Sequence, residues 1–207
     1  MSENPFDKIP PYKIVDGFLG EALICGLLDH ARAEEANFSP TKVGKAEGIL
    51  DPGIRVSKVH RDFGELRDEL KASFEKMMPK AIEELRIPPF DLAHCEIELV
   101  AHNDGAFYKR HIDTRTGVPD TKSQRALTGV LYFHSQPKQF SGGQFRLFSL
   151  NSQNFVDIEP QSDRLVLFPS WAPHEVMPIS CPSGKFEHSR FAINCWYRRP
   201  NPHKESS

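Results

Sequence analysis

The sequence predicts a mainly β fold, a two-sheet sandwich or jelly roll carried on supporting helices. Eight short runs rich in β-branched and aromatic residues crowd the chain after residue 92, and Gly, Pro, Asn, Asp or Ser turns separate them. Helical periodicity is confined to the first 90 residues, so strands and helices are segregated rather than alternating.

The first element is a helix over residues 20–34, where Leu23, Leu27 and Ala31 recur at helical spacing beside Ile24 and Leu28. A second helical pattern runs over residues 63–86 through Leu66, Leu70, Phe74, Met77, Met78 and Ile82, and Pro79 is expected to kink or divide it. Its methionines read as packing residues. After "IPPFD" the character changes to strands: "CEIELVAH", "AFYKRHID", "ALTGVLYFHS", "GQFRLFSL", "NFVDIEP", "DRLVLFPS", "HEVMPI" and "SRFAINCWYRR". "YRRPNPHKESS" reads as a loose tail. The expected organisation is one domain over 1–207, with helical support in 1–90, a core in 92–198 and a tail in 199–207.

A chain of 207 residues is long enough for one substantial core, and 39% hydrophobic with 26% charged residues excludes extensive disorder. The net charge of −2 offers no general attraction to nucleic acid or an anionic membrane. Cys25, Cys95, Cys181 and Cys195 form no CxxC pair, so they are expected to be free thiols in a reducing compartment, the cytoplasm. The N-terminus lacks a signal-peptide pattern, and no segment is long enough to span a bilayer.

Chemistry concentrates in "FYKRHIDTRTG". Strand alternation would place His111 and Asp113 on one face with Phe107 and Lys109, their bases about 6 to 7 Å apart. His174 enters an apolar strand-like stretch, where each ring nitrogen needs a partner. Two histidines and a carboxylate suit non-heme Fe(II) with open coordination positions, although zinc accepts the same ligands. Arg190 shares a strand face with Ala192, Asn194 and Trp196, and a guanidinium pointing into a sandwich calls for a carboxylate. A dicarboxylate that chelates the metal at one end and meets Arg190 at the other accounts for both features. An Arg190 paired with a protein acid remains the alternative. "SGGQFRLF" suggests a close approach or bulge at Gly142 and Gly143, with Phe145 and Leu147 lining a cavity or packing the core.

These residues resemble the Fe(II)- and 2-oxoglutarate-dependent dioxygenases of the prolyl 4-hydroxylase superfamily, in particular the oxygen-sensing prolyl hydroxylases and their bacterial relatives. The resemblance rests on "YKRHID", "SGGQFRLF", "VDIEPQSDRLVLFPS", "PHEV" and "RFAINCWY" in that order, over roughly residues 92–198. It implies a double-stranded β-helix, the cupin-like jelly roll. It implies Fe(II) on His111, Asp113 and His174, Arg190 on the remote carboxylate of 2-oxoglutarate, and O2 as second co-substrate, with ascorbate a candidate reductant. Asn194, Tyr132 and Tyr108 become co-substrate pocket residues, although the family's tyrosine on the third core strand falls at Leu131 by register. The first core strand offers His102 or Asn103 in place of a tyrosine.

The implied reaction hydroxylates a C–H bond, at C4 of a prolyl residue in a protein or peptide, and yields succinate and CO2. A free amino acid or small metabolite is the alternative substrate, and a non-catalytic cupin-like metal or ligand binder the alternative class. The loop "TRTGVPDTKSQR" reads as a mobile lid beside the metal, with Arg115, Lys122, Arg125 and, from the loop before His174, Trp171 as candidate substrate contacts. No residue pattern speaks to homo-oligomerisation.

Overall fold

Apolar residues at every third or fourth position build two helices. In the computed structural model, which describes residues 4–44, 48–114 and 122–201, α1 (Glu21–Ala33) buries Ile24, Leu27, Leu28 and Ala31, and α2 (Leu66–Leu85) buries Leu70, Phe74, Met78, Ala81 and Leu85. Pro79 does not divide α2. It lies on the exposed flank with Glu75, whose carbonyl loses its usual helical donor where water can replace it. No described helix is long and apolar enough to cross a membrane.

Four short strands precede residue 61, where the sequence pattern showed none: β1 (Lys13–Asp16), β2 (Ser39–Pro40), β3 (Arg55–Val56) and β4 (Lys58–His60). The eight expected runs all fold as strands. They are β5 (His94–His102), β6 (Phe107–His111), β7 (Ser123–Phe133), β9 (Phe145–Phe148), β10 (Phe155–Ile158), β11 (Arg164–Pro169), β12 (His174–Val176) and β14 (Arg190–Pro200). Two further pieces, β8 (Ser141–Gly142) and β13 (Ile179–Ser180), pair with each other. Arg199 and Pro200, within the expected tail of 199–207, continue β14.

The strands form three antiparallel sheets. A seven-stranded sheet runs β1-β11-β7-β14-β5-β4-β2, a five-stranded sheet runs β10-β9-β12-β6-β3, and the third is β13-β8. This corrects the expected double-stranded β-helix: the fold is a mixed β and α arrangement of open sheets, not a closed jelly roll. Among the described residues no ladder joins the sheets, and the large one ends at β1 and β2. The β2 edge is two residues long and contains Pro40, which has no N–H to offer another strand.

Period-two alternation gives the central strands two different faces. On one, Leu99, Leu131, Phe133, Leu165, Leu167, Phe191 and Ile193 pack with Leu27, Leu70 and Phe74 of the helices. Tyr197 joins this layer, and its hydroxyl donates to the Phe74 carbonyl at 2.9 Å. On the other, Val130, Tyr132, Val166, Phe168 and Ala192 pack with Phe145 and Leu147 of the five-stranded sheet. Tyr132, rather than its neighbour Leu131, therefore faces the inter-sheet space.

The glycine pair also acts as the sequence suggested. Gly142 has φ +72°, and a Cβ there would lie 2.2 Å from the Pro178 carbonyl oxygen. Gly142→Ala should therefore lower the unfolding free energy by at least about 2 kcal/mol, read from urea denaturation. An unchanged midpoint would contradict this packing.

Candidate metal centre

His111 ends β6, His174 opens β12, and the two are direct register partners. Asp113 lies beyond the strand and is held by backbone bonds instead: its N–H and that of Thr114 donate to the Ser170 carbonyl at 2.9 and 3.0 Å. The result gathers His111, Asp113 and His174, with possible ligand atoms all within 4.8 Å of one another. His111 Nε2 is 3.8 Å from Asp113 Oδ1, and His174 Nε2 is 3.7 Å from Oδ2.

Hydrogen bonds prepare both imidazoles. His111 Nδ1 lies 2.8 Å from the Lys109 carbonyl and His174 Nδ1 2.9 Å from the Ala172 carbonyl. A carbonyl only accepts, so each Nδ1 carries a proton, and Nε2 is the ring atom that each histidine turns toward the centre. Burial, followed by the charge of His174, pushes His111 down to about 3, which keeps its ring neutral. Burial would raise Asp113, but the His174 and His111 rings and Arg125 outweigh it, so its pKa is lowered and the carboxylate is charged.

A change in register sets the neighbours of the triad. Simple alternation would put Lys109 beside His111, but from His174 to Val176 the partner on β6 moves from His111 to Tyr108. This irregularity brings Tyr108 onto His111, with ring centroids 3.5 Å apart and planes at 19°, while Lys109 is exposed. Thr128 on β7 donates to Asp113 Oδ2 at 2.9 Å and lies 2.8 Å from Ser170 Oγ. The single Thr128 proton is used by the carboxylate, so Ser170 must donate to Thr128. Two buried hydroxyls thus fix the rotation of Asp113.

The rest of the site follows the large sheet. Trp196 stands opposite Thr128, Asn194 opposite Val130, and Ala192 opposite Tyr132, while Arg190 stands opposite His102 on β5. Thr128 and Tyr132 are four residues apart, so the backbone separation is about 13 Å. One cavity of about 250 Å³ includes the triad, Tyr108, Asn194 and Arg190 in its lining. Arg190 is 1% exposed, lies over the Tyr132 ring at 4.6 Å, and leaves Nε and Nη2 without partners among the described residues. The Tyr132 hydroxyl is also buried and unpartnered, and burial pushes its pKa up to about 12. Gly143 makes room for this guanidinium: a Cβ there would lie 2.8 Å from Arg190 Cδ. Unpaired buried donors cost about 1–3 kcal/mol each, so this end of the cavity fits a carboxylate.

The other expected contacts divide. Arg125 lines the cavity, but it donates to Glu96 and stacks 3.5 Å over Trp196, so its charge is already engaged. Trp196 forms cavity wall, whereas Trp171 is 43% exposed and outside the lining. Lys122 is exposed and also outside the lining. Arg115 and most of the expected lid, residues 115–121, lie outside the described residues. Sequence reasoning missed Thr128 and Ser170, whose hydroxyls carry no spacing signal. It also missed Arg55, whose guanidinium lies 4.5 Å over Tyr108 and whose two-residue strand is too short to show periodicity.

Thr128→Val should weaken Mn(II) or Fe(II) affinity by about 10- to 100-fold, and Thr128→Ser should restore most of it, read by metal titration. The metal-free fold should also be acid-sensitive. His111 has an ordinary value of 6.5 and a folded value of about 3, so below 6.5 the unfolded chain takes up a proton that the folded chain refuses. Its stabilising contribution is full above 6.5 and falls progressively toward about 3. The urea midpoint of the metal-free protein should drop across this window, less steeply in His111→Gln.

Comparisons with known proteins agree with this geometry. Residues 97–198 match the family model described as the 2OG-Fe(II) oxygenase superfamily. An uncharacterized PKHD-type hydroxylase of Synechocystis sp. is 36% identical over 138 residues, 63% of this chain and 45% of that protein. The hypoxia-inducible factor prolyl hydroxylase of Caenorhabditis elegans is 36% identical over 99 residues, 45% of this chain and 12% of that protein. The chain thus spans less than half the length of these two curated relatives. The solved structure of a Pseudomonas putida prolyl-4-hydroxylase matches with TM-score 0.67 and 27% identity, covering 92% of this chain and 93% of that one. A Trichoplax adhaerens prolyl hydroxylase, solved with a hypoxia inducible factor peptide fragment, matches in fold with TM-score 0.69 at 24% identity, covering 91% and 83%. With the His-Asp-His cluster in its matched segment, the chain belongs to the 2OG-Fe(II) oxygenase superfamily and is related to its prolyl hydroxylases.

Proposed function

We propose that this chain is a 2-oxoglutarate-dependent dioxygenase that hydroxylates C4 of a prolyl residue in a protein or peptide. The observation that carries the reading is a buried guanidinium with two free donors at the far end of the cavity that holds the His-Asp-His cluster. His111, Asp113 and His174 would hold Fe(II), which when bound couples O2 reduction to oxidative decarboxylation of 2-oxoglutarate, giving succinate and CO2.

The chain supplies position and environment. Arg190 holds the remote carboxylate through its Nε and Nη2 fork, and Tyr132 adds a hydroxyl donor. Val130 and Asn194 line the stretch between the two ends. Phe145 and Trp196 help to limit water in the lining, which strengthens these polar contacts. Asp113 contributes one negative charge, and the His111 imidazole stays neutral. No protein base is needed to take a proton from the substrate carbon.

Relatives that are themselves called prolyl hydroxylases support a prolyl substrate, and the P. putida enzyme, similar over nearly its whole length, supports it most fully. The four cysteines are free thiols, which supports the cytoplasm as the site of action.

With Fe(II), 2-oxoglutarate and O2, the protein should release succinate in step with a one-oxygen gain on a proline-containing peptide. Asp113→Ala should abolish turnover. Arg190→Ala should raise the 2-oxoglutarate requirement at least about tenfold while retaining the metal. Full activity in either variant would remove its assigned role, and turnover of free proline but no peptide would redirect the substrate assignment.

A further inference from the structure

His102 closes β5 directly opposite Arg190, and its side chain is 3% exposed within the same cavity. Its Nδ1 lies 3.3 Å from Arg190 Nη1. A guanidinium nitrogen donates and does not accept, so Nδ1 must present its lone pair. A neutral imidazole with a bare Nδ1 carries its proton on Nε2. The charged ring, with protons on both nitrogens, would set N–H against N–H beside a cation. Burial, then the charges of Arg190 and Arg55, push its pKa well below 6.5 and reinforce the neutral form.

This tautomer is opposite to the one at the metal centre. At His111 and His174 a carbonyl meets Nδ1 and leaves Nε2 bare, as a metal ligand requires. At His102 a guanidinium meets Nδ1 and leaves Nε2–H as a donor. That nitrogen is buried and without a partner, like Arg190 Nε, Arg190 Nη2 and the Tyr132 hydroxyl. Three of these atoms, on His102 and Arg190, belong to residues that line one cavity, and the Tyr132 ring lies 4.6 Å from the same guanidinium.

We infer that His102 is a binding residue for 2-oxoglutarate, donating from Nε2–H to the carboxylate that Arg190 and Tyr132 hold. The inference rests on the co-substrate reading above and adds a residue to it. His102 also acts through its other nitrogen, because Nδ1 steadies Arg190 before the co-substrate arrives and so preorganises the fork.

The test uses full-length protein loaded with redox-silent Mn(II) and calorimetric titration with 2-oxoglutarate. His102→Phe, which has neither acceptor nor donor, should weaken binding at least about tenfold, whereas His102→Gln, which offers both, should stay within about threefold of wild type. Mn(II) affinity should be unchanged in both variants. In 15N-histidine-labelled wild type, with the His102 signals assigned by their loss in His102→Gln, Nδ1 should resonate as unprotonated and Nε2 as protonated at neutral pH. A protonated Nδ1, or wild-type affinity in a folded His102→Phe, would overturn the inference and leave the co-substrate reading intact. Should His102→Phe fail to fold, His102→Gln binding more than tenfold weaker would overturn it equally. Mn(II)-loaded wild type that does not bind 2-oxoglutarate would overturn both.

Discussion

A positive charge sealed in the interior, with no carboxylate partner among the described residues, governs this structure. Arg190 is 1% exposed, and its described neighbours are a neutral imidazole and a phenol ring. Desolvating a guanidinium is tolerable where its donors will find acceptors, so the fold has to keep an anion-sized space in front of it. Glycine at 143 leaves room beside the side chain, and the register of β14 against β5 and β7 brings His102 and Tyr132 to it. The same register carries Trp196 to Thr128 at the opposite end. One alignment of three strands thus sets the span between the carboxylate end and the metal end.

The helices stabilise the site without touching it. Odd-numbered positions of β7, such as Leu127, Leu131 and Phe133, pack toward the helical layer, and even-numbered positions, Thr128, Val130 and Tyr132, face the cavity side. A one-residue slip would exchange a hydrophobic core for the site and is opposed by the whole of that core. Local polar bonds then do the fine positioning. The nature of the group at each Nδ1, carbonyl or guanidinium, decides whether a histidine offers a lone pair or a proton.

Much of this was legible in the residues. The eight strand runs, both helices and the grouping of His111, Asp113, His174 and Arg190 rest on periodicities and side-chain chemistry that survive in one dimension. Sheet closure was not legible, because whether edge strands meet depends on long-range geometry rather than on alternation. The two-residue strands β2, β3, β8 and β13 are too short to carry a period. Tyr108 stacks on His111 through a register irregularity that strict alternation hides, and Arg125 looked free because its partner Glu96 lies far away in sequence. The tryptophans show the same limit: the one near His174 in sequence is exposed, and the one adjacent in space comes from β14.

The anchoring of the three ligands divides between sheets. His111 and His174 belong to the five-stranded sheet, whereas Asp113 is fastened to the seven-stranded one through Ser170 and Thr128. No backbone ladder among the described residues ties those sheets together, so an ion shared by the ligands acts as a rivet between two plates. Iron loading and mechanical stiffness would then be linked quantities, with resistance to shear between the layers rising as the metal concentration passes the dissociation constant.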